Sequence, residues 1–124
     1  PVAGPGTSML LDETLALSTM ATACGAARLM GPRSAAGIHT NHCTGLEARF
    51  KGEVGHAAAG ISLEQADEIV RKAVAEYEPH LSSGPIGKPF NELYDLTTLR
   101  PTQEWQEVYE QAKERAVDWG LVFK

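Results

Sequence analysis

Residues 9–30, MLLDETLALSTMATACGAARLM, are the most apolar run of the chain and its hardest folding constraint. Read as one helix, Leu10, Leu11, Leu15, Leu17, Met20, Ala21 and Cys24 cover most of its circumference. A helix that is apolar nearly all round needs burial on several sides. The remaining residues promise less cover than that, so the run predicts additional protein around it. Thr7 or Ser8 is the expected N-cap, Asp12 and Glu13 sit near the positive end of the helix dipole, and Gly31-Pro32 is the expected stop. Asp12, Glu13 and Arg28 interrupt the run, and no segment reaches the about 18 uninterrupted apolar residues of a membrane span.

Three further helices follow from spacing. Over 46–59, Leu46, Phe50, Val54 and Ala58 recur every four residues, while Gly52, Gly55 and Ala59 form a small face suited to close approach of another backbone. Glu47–Lys51 and Arg49–Glu53 are i,i+4 pairs expected on its wet side. Over 63–77, Ser62 and Gln65 make a capping box ahead of Leu63, Ala66, Ile69, Val70, Ala73, Val74 and Tyr77, of which Leu63, Ile69, Val70, Val74 and Tyr77 are expected to face the core. Over 103–119, Thr102 caps a stripe of Trp105, Val108, Tyr109, Ala112, Ala116 and Trp119. A proline- and glycine-rich linker precedes it, with Phe90, Leu93, Tyr94 and Leu96 as expected anchors. The one strand predicted is SAAGIH, residues 34–39. The chain thus reads as mainly α-helical with at most one or two short strands. Its order suggests the last βα units of a larger α/β protein over 1–61, with a helical extension over 62–124.

The net charge of −5 and pI near 5.3 leave no basic stripe for nucleic acid. Two cysteines, Cys24 and Cys43, are too few for a disulfide framework, so a reduced, cytoplasmic setting is expected. Pro1 stands where an initiator methionine would, as expected of a processed chain or a piece of a longer one.

Chemistry concentrates in GIHTNHCTG, residues 37–45. His39, His42 and Cys43 are zinc-type donors, with His56 further on, but their spacing matches no finger or ribbon, and a polar loop without metal is the favoured reading. His42 has the residue type for general acid–base work, against the plainer alternative of a hydrogen-bonding surface histidine. For Cys43, a small packed thiol is the commoner fate than a nucleophile. Arg33, between the first helix and the strand, can form a salt bridge at the far face, where residues serve stability rather than chemistry, and Trp105 and Trp119 read as apolar stripe. GPG at residues 4–6 lacks the lysine and hydroxyl of a phosphate loop.

GLEARF, GEVGHAAAG and PIGKPFNELYDLTTLRPTQEW together resemble the C-terminal quarter of the monomethylamine methyltransferases. The resemblance implies a (β/α)8 TIM-barrel parent of about 250 residues or more, too large for this chain alone. It implies methyl transfer from monomethylamine to the Co(I) of a separate corrinoid protein. No cofactor is then bound directly and no metal is held, the corrinoid being carried by the partner. The family's hallmark pyrrolysine has no counterpart here, so this chain is expected to be inactive alone. A homo-oligomer without nucleic-acid or membrane partners is implied as well. If SAAGIH is the eighth strand, Asn41, His42, Thr44, Glu47 and Arg49 fall where a barrel's catalytic mouth is built, and Asn41 and His42 become the candidate catalytic residues. For Glu47 and Arg49 the plainer alternative is a pair of helix-surface ions. Two rival readings are a free-standing helical module that dimerises through its first helix and a small metal-binding protein.

Overall fold

Thr7 starts the first helix: its hydroxyl accepts the Leu10 amide at 3.3 Å. In the computed structural model, which describes residues 1–124, this helix, α1, runs Ser8–Ala23. It stops earlier than the predicted 9–30. Gly25 adopts φ +82°, and the amides of Cys24, Gly25 and Ala26 turn back onto the carbonyls of Met20, Thr22 and Ala21. A left-handed glycine closing a helix in this way is a strong terminator, and it acts before Gly31-Pro32 is reached.

After α1 come a 3-10 turn (Ser34–Gly37), α2 (Gly45–Ala58), α3 (Leu63–Tyr77), a second 3-10 stretch (Glu78–Ser83) and the single turn α4 (Phe90–Leu93). Strands β1 (Tyr94–Asp95) and β2 (Arg100–Pro101) then form a two-residue antiparallel hairpin, and α5 (Gln103–Asp118) ends the order. The fold is therefore mainly helical with two short strands. No helix is long and apolar enough to cross a membrane.

The predicted strand at 34–39 is absent. Ala35 (φ 49°) and Ala36 (φ 55°) are left-handed and sit in a 3-10 turn. Their amides donate to the carbonyls of Ala3 (2.8 Å) and Pro1 (2.9 Å), which is what holds so unfavourable a conformation. Just before them, residues 27–32 make no backbone–backbone hydrogen bond.

One apolar cluster joins all the long helices. It includes Leu10, Leu11 and Leu15 of α1, Leu46, Phe50 and Val54 of α2, Ile69 and Ala73 of α3, and Trp105 and Tyr109 of α5. α1 is its centre, packed most extensively on α3 and α2. Leu17 is nevertheless 51% exposed, so the apolar surface of α1 exceeds the cover this chain gives it. On α3 the expected face holds for buried Ile69, with Val70, Val74 and Tyr77 half-buried against the cluster. Leu63 is 58% exposed instead. It opens the helix, where a side chain leans back toward the N-terminus and away from the packed turns. In the linker Leu93 is buried and Phe90 stacks on Tyr94, but Leu96 is exposed. Gly55 lets α2 approach closely, since a Cβ there would lie 2.4 Å from Leu29 Cδ1.

The segment at residues 1–5 is laced between two distant parts of the chain. Besides its bonds to 35–36, Gly4 donates to Pro85 O at 2.8 Å and Lys88 donates to Pro5 O at 2.9 Å. The buried Glu13 carboxylate accepts the amides of Val2 and Ala3 at 2.7 and 2.9 Å.

Candidate functional site

The loop between the 3-10 turn and α2 closes on a single carboxylate. Glu47 is fully buried and accepts the amide and hydroxyl of Thr44 and the hydroxyl of Ser34, the last at 3.0 Å. Thr44 Oγ1 in turn accepts Trp105 Nε1–H at 3.0 Å, tying the loop to α5. A buried carboxylate is tolerated only when its acceptor sites are filled, and here three donors fill them. Glu47 thus joins Ser34, where the loop starts, to Thr44, where it ends. It is neither a helix-surface ion nor a partner of Lys51.

Above this floor lies an open recess of about 250 Å³, lined by Pro32, Arg33, Ser34, Gly37, His39, Asn41, His42 and Cys43. Asn41 is left-handed at φ 58°, and its carbonyl accepts the Phe90 amide at 2.8 Å, which pins the loop to α4. His42 Nδ1 lies 2.8 Å from Thr40 O. A carbonyl only accepts, so Nδ1 carries the proton and Nε2 is left with its lone pair in the neutral ring. His39 and His42 are neighbours, with ring centroids 5.3 Å apart. Cys43 is exposed rather than turned into packing. Partial desolvation of its sulfur at this otherwise exposed position, with a smaller contribution from the Glu47 charge, pushes the thiol above its ordinary value and disfavours the thiolate a nucleophile needs.

Of the residues proposed from sequence, Asn41 and His42 therefore meet in one recess, while Thr44 and Glu47 form the buried layer beneath it. Arg49 lies apart, on the face of α2 that meets α5. It pairs with Glu53 at 2.8 Å and sits 5.7 Å from the centroid of the Tyr109 ring. Around Glu53, burial works to raise the carboxyl, but hydrogen bonds from Tyr109, Arg49 and Lys113 outweigh it and hold it below the ordinary range.

His39 joins His42 in the recess, as their grouping in the sequence suggested, whereas Arg33 and Ser34 are recess residues that the motifs had not grouped with Asn41 and His42. One signal was available: residues 14–46 contain no aspartate or glutamate, in a chain with sixteen of them.

Comparison with known proteins agrees with this architecture. The family described as monomethylamine methyltransferase MtmB matches residues 1–121. Monomethylamine methyltransferase MtmB2 of Methanosarcina acetivorans is 45% identical over 99% of this chain, and MtmB1 of Methanosarcina barkeri strain Fusaro is 46% identical over the same share. The chain spans only 27% of the length of each. The crystal structure of Methanosarcina barkeri monomethylamine methyltransferase superposes with a TM-score of 0.95 at 45% identity, covering 99% of this chain and 27% of that one. A hydroxylamine complex of MtmB superposes with a TM-score of 0.96, at the same identity and coverage. The motifs, the helical order and these matches agree, and the chain belongs to the monomethylamine methyltransferase MtmB family.

Proposed function

We propose that the polypeptide carrying this segment transfers the methyl group of monomethylamine to the Co(I) of a separate corrinoid protein, within a (β/α)8 barrel. The observation that carries the reading is the family match over residues 1–121, together with near-complete superposition of the chain on a solved family member. In the reaction the methyl carbon exchanges its bond to nitrogen, which keeps the electron pair, for a bond to the acceptor cobalt. The corrinoid belongs to the partner protein, and the amine-handling pyrrolysine of the family is not among these residues. The segment alone is accordingly inactive. A cytoplasmic setting and a homo-oligomeric assembly belong to the same reading.

Within it, Asn41 and His42 are placed at the amine cavity. The Nδ1–H of His42 is engaged by Thr40 O, which leaves Nε2 as an acceptor suited to an ammonium N–H or an ordered water. Thr44 and Glu47 act as positioning residues that hold the loop, and Arg49 acts away from the amine.

The test is methylation of a reduced corrinoid protein by the full-length, pyrrolysine-containing polypeptide, followed by the cobalt absorbance change. Methylation from monomethylamine is expected, and none from this amine would overturn the assignment. His42→Ala should slow the transfer with little change in unfolding midpoint. An unchanged rate with a lowered midpoint would make His42 a structural residue.

A further inference from the structure

The recess above Glu47 has a charge character that the methyl-transfer reading does not use. Among its lining residues are Arg33, His39, Asn41 and His42, and no carboxylate faces it from this chain. The nearest acid in sequence, Glu47, is buried below and fully occupied by Thr44 and Ser34. Arg33 forms no ion pair, a state it shares with Arg28, Lys51, Arg100 and Lys124, but of these it alone lines the recess. Its guanidinium lies against Gly37, where a Cβ would come within 3.0 Å of Nε and 3.1 Å of a terminal nitrogen. At φ +72° Gly37 also adopts a backbone that other residues resist, so the glycine provides both the turn and the space in which the guanidinium rests. An exposed arginine lying over a glycine, with no internal partner and with imidazole and amide groups beside it, has the donor chemistry of an oxyanion receptor.

We infer that this recess binds a small oxyanion, of phosphate or carboxylate type, through Arg33 with His39 and Asn41 as further donors. An open recess of about 250 Å³ has ample room for one such ion with its waters. Sequence and geometry point the same way. Residues 14–46 hold Arg33, Arg28 and both recess histidines but no acid, so a net-negative chain presents here a locally acid-free surface. The inference does not rest on the methyl-transfer reading. A bound oxyanion would, however, neutralise the arginine next to the place where that reading puts a cationic amine.

The experiment is phosphorus-31 line broadening of inorganic phosphate with the full-length polypeptide, at ionic strength fixed with chloride. Saturable broadening reversed by acetate is expected. Arg33→Gln should weaken binding at least about tenfold, the loss expected for one charge-assisted contact pair. His39→Gln, at an exposed position that leaves folding intact, should weaken it too. Arg28→Gln, outside the recess lining, should leave it unchanged. If Arg33→Gln disturbs folding, the His39→Gln and Arg28→Gln pair decides. Equal losses in those two would mean diffuse attraction and overturn the site. Broadening that does not saturate, or that persists in Arg33→Gln, also overturns it. If methylammonium binds saturably in a manner sensitive to His39→Gln while neither oxyanion does, the recess is an amine site. The inference then fails and the methyl-transfer reading stands.

Discussion

Replacing Glu47 by glutamine keeps the size of the side chain and changes only what it can accept. The carboxylate takes three hydrogens: the Thr44 amide, the Thr44 hydroxyl and the Ser34 hydroxyl. A glutamine oxygen at Oε1 keeps the Thr44 amide and Ser34. Its NH2 at Oε2 then faces Thr44 Oγ1, which already receives the Trp105 indole N–H at 3.0 Å. The threonine proton must rotate away and loses its acceptor in a fully buried setting. Exchanging charge-assisted bonds for neutral ones and orphaning one hydroxyl should destabilise by about 1–2 kcal/mol. Glu47→Ala strands both hydroxyls and the amide and leaves a void, for about 3–5 kcal/mol. Urea unfolding with an unchanged slope measures both losses, and hydrogen exchange at residues 34–44 should quicken most, because these substitutions untie the loop at its two ends. A Glu47→Gln protein within about 0.3 kcal/mol of the parent, with unchanged exchange in the loop, would refute the argument that the carboxylate holds this loop closed.

Tyr109→Phe keeps the edge-on contact with Phe50 but removes the hydrogen bond to Glu53, for a loss of about 1 kcal/mol at neutral pH. Glu53 titrates below its ordinary value in the folded state, so the stability it contributes is present above that value and is lost as pH falls through the folded one. The gap between parent and variant should therefore narrow in acid, as equilibrium unfolding at several pH values would read. Arg115→Met leaves buried Asp12 without its 2.7 Å partner, for about 1–3 kcal/mol. Burial already lifts the Asp12 carboxyl above its ordinary value despite Arg115, so the folded state favours the protonated acid and stability falls as pH rises through that window. Losing Arg115 raises the carboxyl further, and the deficit, read by the same unfolding series, should be largest at neutral pH and shrink toward about pH 4. Gly55→Ala would bring a methyl to 2.4 Å from Leu29 Cδ1, the movable end of a half-buried side chain, while gaining about 1 kcal/mol of helix propensity. The melting temperature should therefore change by less than the equivalent of about 1 kcal/mol, and in a Leu29→Ala background, where the clash is gone, the same substitution should raise it.

The helices were legible where a cap and a period agree. Ser62 with Gln65 and Thr102 mark the starts of α3 and α5, and both helices lie where the spacing puts them. α1 was read too long because its apolar run continues past Gly25, and hydrophobicity along the chain cannot say which of two glycine stops operates. The strand at 34–39 failed for a non-local reason. The conformation of Ala35 and Ala36 depends on carbonyls at Pro1 and Ala3, a pairing no local pattern encodes. In the loop, Asn41 and His42 stood out by residue type. The i,i+4 spacing of Glu47 and Lys51 suggested a solvated pair, and only the fold reveals that Ser34 and Thr44 take the carboxylate instead. Arg33 joins the recess because Gly37 makes room for it, a relation between one side chain and the bare backbone of another residue.

The lacing of residues 1–5 has a mechanical consequence. A pull on Pro1 along the chain meets the bonds to Ala35 and Ala36, the bonds to Pro85 and Lys88, and the Glu13 clamp, all within a few residues. Bonds loaded side by side in this way share the force and yield together, whereas bonds met one after another would open like a zip. Tension there passes at once to the turn at residues 35–36, one residue from Ser34 at the base of the recess, to the segment ahead of α4, and through Glu13 to α1. The first residues thus couple recess, linker and central helix, so that strain applied at Pro1 is felt at the floor of the loop that carries Asn41 and His42.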